Sequence, residues 1–361
     1  MKIVRRSYTF SELYIFRKAA LKILLNYRKV INFILVELSL FFRIKRNLGL
    51  PFNILIEPTG DCNYRCIKCE QFTDLYADDG LVSGKKDMPF ENYRKIIDEI
   101  GGVLFTLRLW NYGEPLINND LFLMIEYAKK KDIFVVVSSN LSLLEGDKPR
   151  KAVASGLDYL IVSCDGASEQ TYKLCHGKDY FKRVINNIKA LTEEKRKLRS
   201  ELPFIELQFI VMKENEHEIR DISGIAKELG VNKMTHLKLQ ADRLSIDKLG
   251  RFSSVNELLP INKIFCYSSQ ERKRFNSCRI PWEETLIRYS GKVIPCCFDI
   301  GQFYAMGNLF LDGRYAGFRN IWNNQNYMSF RNQIAVNLEA LPTCSCCEKR
   351  DNNSNDQISL A

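Results

Sequence analysis

The sequence predicts an α/β protein: a partial, TIM-like (β/α)6 barrel with N-terminal amphipathic helices and a small C-terminal cysteine-rich domain of β-hairpin and helix. Three observations predict it. Short apolar runs alternate with amphipathic stretches from Asn53 to Gln240, as parallel βαβ units require. Polar and glycine-rich residues follow four successive runs, as at the mouth of a barrel. The twelve cysteines are clustered, with one set behind the first run and another near the C-terminus.

Taken in order, the expected strands are Asn53–Glu57, Thr106–Trp110, Phe134–Ser138, Tyr159–Ser163, Ile205–Val211 and His236–Gln240. The expected helices are Phe90–Ile100, Leu121–Lys130, a short Ala152–Ser155, Phe181–Arg196 and Glu218–Leu229. Six such units close only part of an eight-stranded barrel. The segments divide as a basic arm over 1–50, the barrel over 51–245, a linker over 246–277, the cysteine-rich domain over 278–350 and a tail over 351–361.

Charge is unevenly placed. Residues 1–50 hold eleven Lys or Arg and two Glu, a net +9 of the formal +10 of all 361 residues. The body is therefore near neutral, which argues against a nucleic-acid groove across it. Between Leu21 and Phe42 polar and apolar positions recur at helical spacing. Its longest nearly apolar stretch, Val30–Phe42, is too short to cross a bilayer. Two readings stay open: a helix lying on an anionic membrane, and a helix packed on the body or a partner. The expected location is the cytoplasm, with the arm peripheral at the inner membrane face.

Behind the first strand comes Cys62-x3-Cys66-x2-Cys69. Three thiolates in one short loop can face one metal centre and leave it one ligand short of closure. After the second strand comes Asn111-Tyr112-Gly113-Glu114-Pro115, after the third Ser139-Asn140, and after the fourth Ser163-Cys164-Asp165-Gly166. A zinc knuckle is the alternative, but the next cysteine the argument meets, Cys164, ends a predicted strand far along the chain.

Together the cysteine loop, the Gly-Glu-Pro segment and the Ser-x-Asp-Gly strand end resemble the radical S-adenosylmethionine (radical SAM) superfamily over roughly residues 53–240. The resemblance implies a [4Fe–4S] cluster on Cys62, Cys66 and Cys69 whose unique iron takes the amino and carboxylate groups of SAM. An electron then cleaves SAM to methionine and a 5′-deoxyadenosyl radical that abstracts hydrogen from substrate. It also implies that Gly113 and Glu114 line the methionine amino group and that Asn140, Ser163 and Asp165 lie near ribose or carboxylate. An external donor of flavodoxin or ferredoxin type would supply the electron. Two residues depart from the pattern: Lys68 stands where an apolar residue is common, and His176-Gly177 stands where relatives often carry Arg-Gly.

The second set begins with Cys278, twelve residues, Gly291, four residues and Cys296, and ends with Cys344-Ser345-Cys346-Cys347. Thr285–Tyr289 and Lys292–Pro295 flank a Ser290-Gly291 turn, so a hairpin brings Cys296 back beside Cys278. With Cys344 and Cys347 that makes four ligands, although Cys297 and Cys346 could replace their neighbours. A zinc ribbon fits the same spacing. The pattern is similar to the SPASM or shorter twitch domain of radical SAM enzymes, which implies a second, auxiliary [4Fe–4S] cluster. Asp299 is a weak candidate for a proton acceptor beside it.

The resulting expectation is a radical SAM enzyme of oxidoreductase or isomerase type. Its substrate would be a carbohydrate or polyol, free or linked to lipid or nucleotide, that is oxidised, epimerised or rearranged. The alternatives are a peptide-modifying maturase and a non-catalytic iron–sulfur electron carrier.

Overall fold

The structure, a computed structural model, describes residues 17, 20–72, 86–239, 255–262, 265, 278–311, 313–345 and 347. The tail, Cys346, Gln240 and most of the 246–277 linker lie outside them. Six strands pair in sequence order and all parallel: β1 (Asn53–Ile56), β2 (Thr106–Arg108), β3 (Phe134–Ser139), β4 (Tyr159–Ser163), β5 (Phe204–Val211) and β6 (Lys233–Lys238). Successive side chains of a strand point to opposite faces. On one face Ile54, Leu107, Val135, Val137, Leu160, Val162, Leu207 and Phe209 are all buried, while Arg108, Ser138, Ser163 and Gln208 on the other line a cavity.

The sheet continues past β1 into the cysteine-rich domain. Strand β7 (Glu284–Ile287) runs parallel to β1, pairing Asn53 with Glu284 through Ile56 with Ile287. Strands β8 (Lys292–Ile294) and β9 (Gly307–Asn308) add on antiparallel, giving nine strands in the order β6-β5-β4-β3-β2-β1-β7-β8-β9. The predicted hairpin is thus a wall of the barrel sheet itself.

A first helix, α1 (Tyr27–Phe41), starts at Asn26, whose side chain accepts from the N–H groups of Arg28 and Lys29. This cap breaks the longer helix expected from Leu21. Between the strands lie α2 (Phe90–Ile100), α3 (Leu121–Lys129), α4 (Lys148–Ala154), α5 (Glu169–His176), α6 (Phe181–Lys197) and α7 (Ile219–Glu228). In α2 the buried positions Tyr93, Ile96, Ile97 and Ile100 recur at three and four residues, one face of a helix turned to the sheet.

Further differences from expectation concern β6, α4 and α5. Strand β6 starts at Lys233 instead of His236, because as the sheet edge it needs no apolar residues on its outer positions. Helix α4 starts at Lys148, ahead of Pro149, which suits a first turn. Helix α5 was not anticipated, although Ser168 caps its start and Gly177, at φ 70°, ends it.

Residues 44–50 are sewn to the cysteine-rich domain. Trp282 Nε1 donates to the Ile44 carbonyl at 2.9 Å and Trp322 Nε1 to the Gly49 carbonyl at 2.9 Å. The buried Arg331 donates to the carbonyls of Lys45 and Pro281, with its guanidinium 4.3 Å from the Trp322 ring centre. The C-terminal part of the predicted arm is therefore part of the body.

Candidate active site

The strand ends converge on a cavity of about 580 Å³, in the size range of small-molecule sites. Cys62, Cys66 and Cys69, all half-buried, line it together with Gly113, Glu114, Asn140, Ser163 and His176. The cysteine loop is held by the turn after β4 and by the end of α5. The Ile67 N–H donates to the Cys175 carbonyl at 2.9 Å and the Arg65 N–H to the His176 carbonyl at 3.3 Å. Lys68 pairs with Asp165 at 2.5 Å, so the unexpected lysine clamps the loop to β4.

Glycines permit these approaches. A Cβ on Gly113 would come within 1.9 Å of the Thr59 carbonyl oxygen, and one on Gly177 within 2.7 Å of the Arg65 carbonyl oxygen. Gly113 thus lets the second strand end close over the start of the cysteine loop, where the Glu114 N–H donates to the Asp61 carbonyl at 2.8 Å.

Glu114 is buried and held from three sides. Its Oε1 accepts from Ser139 Oγ at 2.7 Å and from the Leu116 N–H at 3.0 Å, and its Oε2 accepts from the Asn140 N–H at 2.8 Å. Burial nonetheless holds its carboxyl above the usual range. Three bonds leave acceptor capacity on Oε2 for a cation in the cavity. Asn140 Nδ2 donates to Asn63 Oδ1 at 3.0 Å, while Asn140 Oδ1 accepts from Ser142.

Asp165 is not on the cavity wall. It is 1% exposed, paired with Lys68, and its Oδ1 accepts from the Ile210 N–H at 2.7 Å. A carboxylate so occupied ties the cysteine loop to the end of β4.

Burial pushes the Cys62 thiol up to about 12 and the Cys66 thiol well above its ordinary value, with neighbouring cysteines adding to both shifts. Such thiols ionise when a metal centre supplies positive charge. Among the described residues no three His, Cys, Asp or Glu side chains close around a single ion. Three thiols that share one cavity with a carboxylate leave a metal centre one thiolate short of closure, as a cluster with an open iron requires.

The second cysteine set lines a separate apolar cavity. Cys278, Cys296, Cys344 and Cys347 share it with Tyr304, Phe330, Ile334 and Leu338. The Cys278 thiol is pushed up to about 12, by burial first and then by Cys347 and Cys344. The adjacent Cys297 lines the barrel-mouth cavity, with its thiol in hydrogen-bond contact with that of Cys296. Cys346 lies outside the described residues.

Asp299 lines the second cavity, but its carboxylate accepts from the N–H groups of Phe303 and Tyr304 at 3.1 and 2.8 Å. It holds the chain turn at 299–304.

Sequence reasoning passed over one pair. Glu57 at the end of β1 and Arg288 after β7 are both buried and meet at 2.7 Å, and Glu57 also accepts from the Tyr112 N–H at 3.1 Å. Charged residues directly after two apolar runs were the available signal.

Residues 56–223 match the family model described as the radical SAM superfamily, and residues 278–348 match the SPASM model, an iron–sulfur cluster-binding domain. The chain belongs to the radical SAM superfamily. As a radical SAM enzyme with a SPASM domain, it takes S-adenosylmethionine, a SAM-binding [4Fe–4S] cluster and auxiliary iron–sulfur centre as its cofactors. It is 23% identical over 324 residues to the tungsten-containing aldehyde ferredoxin oxidoreductase cofactor-modifying protein of Pyrococcus furiosus, a match covering 82% of this chain and 87% of that one. It is 28% identical over 181 residues to the AdoMet-dependent heme synthase of Methanosarcina barkeri, covering 50% of this chain and 48% of that one. Among solved structures, Streptococcus suis SuiB bound to its precursor peptide SuiA matches 79% of this radical SAM chain with 67% of its own, at 14% identity and a TM-score of 0.58. The AdoMet-bound anSMEcpe structure matches 84% with 91% of its own, at 14% identity and a TM-score of 0.55.

Proposed function

We propose that Cys62, Cys66 and Cys69 hold the SAM-binding cluster, that Glu114 and Asn140 receive SAM, and that Cys278, Cys296, Cys344 and Cys347 hold the auxiliary cluster. With cluster and SAM bound, one electron from a flavodoxin- or ferredoxin-type donor yields methionine and a 5′-deoxyadenosyl radical, which takes a hydrogen atom from substrate. The observation that carries this reading is the sharing of one cavity by the three thiols and the Glu114 carboxylate. Glu114, fixed by Ser139 and the Asn140 N–H, orients an ammonium group without moving to meet it. Ser163 and Asn140 add hydrogen-bonding groups on the same wall. The test is anaerobic incubation of reconstituted protein with SAM and dithionite; absence of 5′-deoxyadenosine with both clusters present would sink it and favour an electron carrier.

For the substrate we propose a small, hydroxyl-rich molecule such as a carbohydrate or polyol, free or carrier-linked. Support comes from the outer cavity wall, where Trp110 and Tyr112 stand beside the polar Arg108, Gln208 and Lys238. A peptide is the second reading, favoured by the SuiB likeness, since that structure holds a precursor peptide. Deuterated polyols and deuterated peptides separate the two: the pool that passes deuterium to 5′-deoxyadenosine contains the substrate.

We propose further that the enzyme works at an anionic membrane surface. Helix α1 is turned inside out: it buries Lys29, Asn32, Val36 and Ser39 and exposes Tyr27, Ile31, Ile34, Leu38 and Phe41. Those exposed residues follow one another at three or four positions, so they form a single apolar stripe, extended by Leu24 and Phe42. Arg28, Arg43, Lys45 and Arg46, all exposed, flank its two ends. A monomer that exposes such a stripe beside basic side chains suits anionic headgroups over buried acyl chains. No helix among the described residues is long and apolar enough to cross a membrane. Flotation with anionic and with zwitterionic vesicles tests this on the full chain carrying Ile31→Ser, Leu38→Ser and Phe42→Ser. The wild type should float with anionic vesicles alone and the variant with neither. Equal recovery, or a dimer that the variant dissolves, would overturn the proposal. Truncation is the poorer test, because Trp282, Trp322 and Arg331 would lose their partners at 44–49.

A further inference from the structure

The imidazole of His176 lies between the cysteine loop and the end of β4, and both ring nitrogens are engaged. The backbone N–H of Asp165 points at Nε2 from 2.9 Å. A ring nitrogen that accepts an N–H bond carries no proton of its own, so the neutral ring has its proton on Nδ1. Nδ1 stands 3.2 Å from Sγ of Cys66, and this tautomer makes it the donor.

The ring is held in that orientation. It is 1% exposed, with the Tyr172 ring centre at 4.4 Å and that of Tyr64 at 5.6 Å. The Asp165 Oδ2 atom, 3.5 Å from Nε2, is already paired with Lys68 at 2.5 Å. One network thus runs from Lys68 through Asp165 to His176 and ends on a sulfur of the same loop that bears Lys68.

We infer that His176 is a positioning residue for the SAM-binding cluster: its Nδ1–H donates to the Cys66 sulfur and favours the reduced state. The inference rests on Cys66 being a cluster ligand, as proposed above. Reduction adds electron density to cluster and ligand sulfurs, and an N–H···S bond stabilises that density, so such bonds raise the reduction potential. The His-Gly pair that departs from the superfamily's usual Arg-Gly then has a role of its own.

Potentiometric titration of the reconstituted full chain, followed by EPR without SAM or substrate, tests it. His176→Gln keeps an acceptor for the Asp165 N–H but has no donor at the Nδ1 position, and its midpoint potential should fall below the wild type at equal iron content. His176→Asn keeps an N–H at the Nδ1 position and should stay near the wild-type potential. Equal potentials for wild type and His176→Gln would overturn the inference. Where a variant loses its cluster, pulsed EPR of the reduced wild type with isotopically labelled histidine decides. A histidine nitrogen coupling supports the donor and its absence overturns it. A wild type that builds no SAM-binding cluster at all would instead refute the assignment of Cys66.

Discussion

The two cysteine sites sit on one continuous sheet, yet their surroundings differ in kind. Around Cys62, Cys66 and Cys69 the walls are mixed, with Glu114, Asn140, Ser163 and His176 set among apolar residues such as Leu55, Trp110 and Ile210. Around Cys278, Cys296, Cys344 and Cys347 they are apolar, built from Tyr304, Phe330, Ile334 and Leu338. Three donors in a cleft that also presents polar groups leave room for an outside ligand, whereas four donors in an apolar pocket can satisfy a cluster from the protein alone. On the proposed assignment, the difference separates a cluster that can take SAM from one closed to it.

The strongest way to break this contrast is to remove one site at a time. Cys66→Ala should abolish 5′-deoxyadenosine formation while leaving the auxiliary cluster's iron in place, as read by iron analysis and visible absorbance. Cys296→Ala should cost the auxiliary iron, whereas Cys297→Ala should keep it, because the two side chains line different cavities. Loss of iron in Cys297→Ala and not in Cys296→Ala would reverse the assignment.

Next in size is the pair between the ends of β1 and β7. Arg288→Ala removes the guanidinium that faces the buried Glu57 carboxylate and should cost about 3–5 kcal/mol, measured by denaturant unfolding of the apoprotein. A loss below about 1 kcal/mol would show that the pair is not what joins β1 to β7. Smaller again, Glu114→Gln removes a charge-assisted bond worth about 1.5–3 kcal/mol and should weaken SAM binding roughly 10- to 100-fold, by calorimetry on the cluster-loaded protein. Unchanged affinity would remove Glu114 from the SAM site.

The last effect is a slope in pH. Because burial raises the Cys62 and Cys278 thiols to about 12, both sites enter loading protonated and release a proton for each sulfur bound. Loading should strengthen as pH rises, and more steeply at the four-thiol site. Cys66→Ala and Cys296→Ala each retain one site, so equal slopes in the two proteins would break the distinction.

Much of this was legible before any coordinates, and the legible parts share a cause. Strand β4 and helix α2 fall at the residues expected because period and burial are local properties of an apolar run. Helix α5 escaped because it is short and partly polar, and its Ser168 and Gly177 caps gain meaning only with a helix between them. The cysteine loop was legible because its three ligands lie within eight residues.

Strand–helix alternation thus determined the fold class and cysteine spacing a metal centre one ligand short of closure, while the resemblance those motifs carry implied the superfamily and its cofactors. The tertiary structure decided which way side chains point. It put Cys296 and Cys297 into different cavities, joined Lys68 to Asp165, turned the polar side of α1 inward and aimed His176 at Cys66. The physical reason is range: periodicity is set by neighbours a few residues apart, whereas the partner of a buried polar group is supplied by a distant part of the chain.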